Sequence, residues 1–120
     1  MVLIKQLKFN IIILLSKDNN IIYHIIYMKK YFPYKSDKPN KKYYIVTNDN
    51  KKVYFGQASA SDFTLHKNEQ RKQLYINRHK NNENWTKSGI NSAGFWSRWL
   101  LWNLPSISSS YQDIKKRFNI

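Results

Sequence analysis

The chain has 120 residues, 21 Lys and Arg against 7 Asp and Glu, a formal net charge of +14, and no cysteine. That length gives room for one domain with a single core. The absence of thiols excludes disulfides and thiolate zinc sites. The excess positive charge predicts a field that draws in a polyanion, with an association that weakens as salt rises.

Residues 1–41 differ in composition from the remainder. Lys5 and Lys8 precede an apolar run, Ile11 to Leu15, which ends at Ser16-Lys17-Asp18-Asn19-Asn20 without a small-residue cleavage site, so a secretory signal is not expected. The same polar break leaves no stretch of about 20 apolar residues, so no transmembrane segment is predicted. A second apolar run, Ile21 to Tyr27, ends at Met28. Residues 1–27 read as an upstream extension or a poorly packed tail, with Met28 as the expected start. Without them the chain keeps 18 basic and 6 acidic residues, a net +12. Residues 28–41 read as a linker or extended arm, and residues 42–120 as a single basic domain.

Within that domain Lys42 to Thr47 is rich in aromatic and β-branched residues and predicts a strand. Asn48-Asp49-Asn50 supplies a turn, and Lys51 to Phe55 returns as the partner strand of a hairpin closed by Gly56. Asn68 predicts an N-cap, opening a helix that runs to Lys80 and places Arg71, Leu74, Tyr75 and Arg78 within one arc. Trp85 is expected to fold back as an anchor. Ser92 predicts a second cap, with a tryptophan-rich helix continuing to Asn103, and Pro105-Ser106 opens a last helix on which Ile107, Tyr111, Ile114 and Phe118 recur. The expected fold class is α+β, an N-terminal β-hairpin followed by three short helices packed around an aromatic core. Four Trp, nine Tyr and six Phe supply that core.

The three histidines, His24, His66 and His79, make no close sequence pair with each other or with a carboxylate at metal-ligand spacing, and neither a metal nor a cofactor is expected. His79 reads as a packing or capping residue at the helix end. Thr86-Lys87-Ser88-Gly89 has the composition of a phosphate loop but neither its spacing nor its preceding strand. The residues expected to contact a polyanion are Lys67, Arg71, Lys72, Arg78, Lys80 and Lys87, with Lys115, Lys116 and Arg117 as a second patch.

Two resemblances accompany these readings. The pair Tyr43-Tyr44-Ile45-Val46-Thr47-Asn48 and Val53-Tyr54-Phe55-Gly56-Gln57 resembles the paired motifs of GIY-YIG nucleases. That resemblance implies roles for Tyr44, Tyr54, Arg71 and Glu83, although the first motif lacks its glycine and Glu83 falls in an expected loop. A tyrosine-rich hairpin packed on helices accounts for the same residues without chemistry. The more extensive resemblance runs through Phe55-Gly56, Ser61 to Lys67, Arg71-Lys72, Tyr75-Ile76, Arg78-His79, Trp85 to Gly89 and Ala93 to Trp102. These residues resemble a family of short basic proteins of nucleocytoplasmic large DNA viruses, which implies an origin and no mechanism, and a location in the viral factory of the host cytoplasm or in the virion. The functional expectation is non-sequence-specific association with nucleic acid through phosphate contacts. The alternatives are a virion module that meets acidic virion proteins, and a degenerate nuclease. Binding is favoured over catalysis.

Overall fold

The computed structural model describes residues 25–120, and the expected extension at residues 1–27 lies outside them except for its last three positions. Three antiparallel strands form one sheet in the order β1 (Tyr34–Lys35), β2 (Lys41–Val46), β3 (Lys52–Gln57). The β2–β3 hairpin pairs Lys41 with Gln57 at one end and Val46 with Lys52 at the other. Its turn is held by Thr47 N–H donating to the Lys51 carbonyl and Asn50 N–H donating to the Thr47 carbonyl, both at 2.9 Å. Asn50 takes φ 61° there, a left-handed conformation that asparagine tolerates better than most residues. β1 lies inside the segment expected to be a linker or arm. Its register sets Tyr34 against Tyr44, which itself faces Tyr54, so Tyr44 stacks on Tyr34 at 5.5 Å and meets Tyr54 in a tilted contact at 5.3 Å.

After the sheet comes α1 (Phe63–His66), a single turn that no sequence expectation covers. Buried Asp62 caps it by accepting from Thr64 N–H at 2.9 Å, and Lys67 ends it in a left-handed conformation. α2 (Glu69–His79) starts at the expected cap, Asn68, whose side-chain oxygen accepts from Arg71 N–H at 3.1 Å. A short 3-10 turn, Lys87–Gly89, follows.

The tryptophan-rich segment departs from the single helix expected between Ser92 and Asn103. One α turn, α3 (Ala93–Trp96), passes into a π turn over Ser97–Leu101, in which Trp102 N–H donates to the Ser97 carbonyl five residues back. The buried residues explain the wider turn. Phe95 and Trp96 must share a side with Leu100 and Leu101, and a spacing of five would put them about 140° apart on an α-helix. The i→i+5 turn rotates Leu100 and Leu101 back under the two aromatics.

α4 (Ile107–Phe118) closes the fold, capped by Ser106, whose hydroxyl accepts from Ser109 N–H at 3.1 Å. Replacing Ser106 with Ala is expected to cost about 1 kcal/mol in urea denaturation, and Ser106→Asp to keep most of that stability.

The fold is thus mixed helix and sheet with an aromatic core. Trp96, Phe55, Phe95, Ile45, Leu100 and Ile114 are fully buried. The Trp96 ring lies 6.1 Å from Phe55, stacks with Tyr31 at 6.4 Å, and its indole N–H donates to the Ile90 carbonyl at 2.7 Å. Arg98 lies over Trp99, its guanidinium carbon 4.4 Å from the ring centroid, and its Nη1 donates to the Trp102 carbonyl at 2.7 Å. Burial, with Arg117 nearby, lowers its pKa from the usual guanidinium value.

Candidate functional site

The end of the hairpin carrying Lys41 and Gln57 meets α2 and α3 along a groove of about 610 Å³. Two glycines allow this approach. Gly56, at φ 76°, would put a Cβ 2.8 Å from Leu101 Cδ1, so only glycine lets the strand end settle against the π turn without displacement. A Cβ on Gly94 would fall 1.8 Å from Glu83 Oε2, so the bare backbone there makes room for that carboxylate.

Four Lys or Arg side chains line the groove, Lys41, Lys42, Arg71 and Arg78, against two carboxylates, Asp62 and Glu83. Lys42 and Asp62 neutralise each other across 2.6 Å, with Asp62 almost fully buried and also accepting from Thr64. The other cations differ. Lys41, Arg71 and Arg78 make no side-chain hydrogen bond or ion pair among the described residues, and both arginines are exposed. They are seven residues apart on α2, about 10.5 Å along the axis and nearly two full turns, so their side chains leave the helix in similar directions. The groove therefore offers charge that the fold does not consume.

Its aromatic residues are packed on one another. Tyr75 is buried and stacks on Trp102 with ring centroids 4.4 Å apart and an interplanar angle of 3°. His79 lies 4.4 Å from the Tyr75 ring and Trp85 6.5 Å from it. Burial, and then the Glu83 charge, push the Tyr75 hydroxyl up to about 12, so at neutral pH it remains a phenol. His79 Nδ1 stands 4.0 Å from Glu83 Oε1, four residues on, which corrects the expectation that no histidine has a carboxylate at close spacing. Among the described residues no group of three or more His, Cys, Asp or Glu side chains is placed to hold a metal ion.

The structure spreads the expected contact residues over several places. Arg71 and Arg78 meet at the groove, while Lys67 and Lys80 are exposed at the caps following α1 and α2. Lys72 is used inside the fold: its Nζ donates to the Asn103 carbonyl at 2.7 Å and lies over the Phe63 ring at 4.6 Å. Lys87 and Lys115 line a separate hollow, and Lys116 is exposed on α4. Arg117 pairs with Asp113 at 3.1 Å and covers Trp99. Burial opposes ionisation of Asp113, but hydrogen bonds from Asn103 and Arg117 outweigh it and hold the carboxyl below its usual range.

Of the two tyrosines compared with nuclease motifs, Tyr54 lines the groove that holds Arg71 and Glu83 and Tyr44 does not. Tyr44 is buried between Tyr34 and Tyr54. Tyr54 lines the groove with Arg71 and Glu83, but its hydroxyl donates to Asp37 at 2.6 Å, the principal reason Asp37 is more acidic than an ordinary carboxyl.

A family of unknown function, DUF5754, has a model that matches residues 34–79, from β1 to the end of α2. No curated protein and no solved structure matches the chain. The matched stretch carries Lys41, Lys42, Asp62, Arg71, Arg78 and His79, and leaves out Glu83 and Gly94.

His66 borders this region and gives it a pH dependence. Its Nδ1 accepts from Asn68 N–H at 2.9 Å, and its buried Nε2 has no partner among the described residues. Burial, and next the charge of Arg71, lower its pKa. With the folded value below the unfolded 6.5, the unfolded chain binds the extra proton, so the stability linked to His66 is fully present above pH 6.5 and is lost as pH falls through the folded value. Thermal midpoints at neutral and mildly acidic pH are expected to fall further for the wild type than for His66→Gln. Equal falls would contradict this assignment.

Proposed function

We propose that the chain is a small basic viral protein that associates with nucleic acid without reading its sequence. Lys41, Arg71 and Arg78 seat backbone phosphates in the groove. The observation that carries the reading is the set of three cations without counterions around one concave surface. The stacking of Tyr75 and Trp102 on each other supports backbone contact over base contact, because the rings are occupied within the fold. Phosphate contacts of this kind position a protein and carry no sequence information.

The test is equilibrium binding to a fluorescent duplex at several salt concentrations. The three phosphate contacts of the groove give a log–log slope of about −2.7, at ~0.9 per neutralised phosphate. Duplexes of unrelated sequence should bind alike, and an association indifferent to salt would overturn the reading.

A second reading, a virion module that meets acidic proteins, is favoured by the exposed Leu65 and Leu74 on α1 and α2, since apolar side chains beside cations suit a protein interface. Binding to acidic particle proteins that survives high salt and is lost in Leu65→Ser/Leu74→Ser would select it. The degenerate-nuclease reading has Arg71 and Glu83 at the groove but neither tyrosine hydroxyl free in it, and absence of cleavage with both magnesium and manganese would close it.

A further inference from the structure

A second concave surface lies at the other end of the hairpin. It has a volume of about 430 Å³ and is lined by Lys29, Lys30, Lys87 and Lys115 together with Tyr111 and Asn48. No Asp or Glu side chain is among its lining residues, and none of the four lysines forms an ion pair among the described residues. Their contacts are neutral. Lys30 donates to the Ile25 carbonyl at 3.3 Å and to the Asn50 side chain, Lys29 lies over the Phe32 ring at 5.5 Å, and Lys115 lies over the Tyr111 ring at 5.0 Å. These contacts hold three of the four positive charges around the hollow, which Ile120 also lines, without pairing any of them with a side-chain carboxylate.

The hollow and the groove share no lining residue. Lys41 begins β2 at the groove, and Asn48 lies in the turn beyond the strand's far end. The six residues of β2 separate these ends by about 20 Å. A straight duplex covers about 20 Å in roughly six base pairs, so two segments are held apart when the surfaces do not lie along one duplex axis. Stiffness over about 150 base pairs keeps a seated segment from bending to meet both.

We infer that the hollow at the hairpin turn is a second phosphate-backbone site, so that one chain bridges two nucleic-acid segments. This rests on the nucleic-acid reading of the groove and adds a consequence, cross-linking, that a single site lacks. Once one segment is seated, the protein is held at high local concentration near any neighbouring segment, and binding at the second site follows without new contacts at the first.

The experiment uses the full chain, a bead-tethered duplex and a second, fluorescent duplex, with recovery of fluorescence on the beads as the readout. Wild-type protein is expected to recover the second duplex. The set Lys29→Gln, Lys87→Gln and Lys115→Gln is expected to lower recovery at least about tenfold while its affinity for one short duplex changes by no more than about threefold, because the groove, the tighter of the two sites, is untouched. The corresponding Lys→Arg set, which keeps the charge, should bridge like the wild type. Single-duplex binding without recovery by the wild type overturns the bridging inference alone. Undiminished recovery by a folded Gln set also overturns it, because bridging would then arise from self-association. Failure to bind any duplex overturns the underlying reading as well.

Discussion

Neutralising Lys41, Arg71 and Arg78 together, each to Gln, is expected to weaken duplex binding about a hundredfold near 0.1 M salt and leave the fold intact. About 1 kcal/mol for each of three exposed charge contacts, the upper end for such pairs, gives about 3 kcal/mol, and each 1.4 kcal/mol is tenfold in Kd. The salt slope should become shallower by about 2.7, at ~0.9 per lost phosphate contact. Stability should hold because none of these side chains is hydrogen-bonded or ion-paired among the described residues. This separates a ligand-contacting role from a structural one, in which the guanidinium groups would satisfy carbonyls of the fold. An unchanged slope with normal folding would remove the groove as the contact surface. Arg71→Lys with Arg78→Lys is the matching control, since it keeps the charge and should retain most of the binding.

The largest stability effect is expected at Trp96. The side chain is fully buried, packs on Phe55, Phe95 and Tyr31, and donates to the Ile90 carbonyl. Truncation to Ala removes the largest buried ring and leaves that carbonyl without its donor, a loss of about 3–5 kcal/mol. Small domains are stable by only about 5–15 kcal/mol, so the Ala variant should be largely unfolded or reach its urea midpoint at a much lower concentration. Trp96→Phe keeps a ring but not the donor, and should fall between the two, with about 1–3 kcal/mol lost for the buried unpaired acceptor. A loss below about 1 kcal/mol for the Ala variant would show that this ring is not the centre of the core.

Local signals in the sequence located most element boundaries. Asn68, Ser92 and Ser106 each cap the helix they are expected to open, because a short polar side chain accepting a backbone N–H is a contact within three residues. The hairpin was legible for a similar reason, with β-branched and aromatic residues on either side of an Asn-Asp-Asn turn. β1 was not legible. Tyr34–Lys35 is two residues long, follows a proline, and is a strand only because its register on β2 lines up three tyrosines that are distant in sequence. The π turn was hidden too, since a run of tryptophans and leucines fits a regular helix until the spacing between its buried pairs is known.

The site was legible in its charges and not in its assembly. Arg71, Leu74, Tyr75 and Arg78 share a helical arc, but only Tyr75 is buried, under Trp102, while Leu74 is exposed. That arc is therefore a boundary, with one aromatic turned inward and two arginines left outside. Lys72 shows the converse, a lysine that reads as a surface charge yet reaches the Asn103 carbonyl 31 residues away. Glu83 joins the groove by tertiary approach over Gly94, and Leu101 closes on Gly56 in the same way, and no spacing rule reports a contact permitted by a missing Cβ. The membrane expectation concerns a local property: among the described residues no helix is long and apolar enough to cross a membrane.

The central claim, that the groove seats a phosphate backbone, is tested most directly by amide chemical-shift mapping of the chain titrated with a short duplex at low salt. The account predicts the largest shifts at Lys41, Arg71, Tyr75 and Arg78, with a second group around Lys29, Lys87 and Lys115, all reversed by added salt. Shifts confined to the exposed face of α4 around Lys116, or shifts at the groove that persist in high salt, would contradict it.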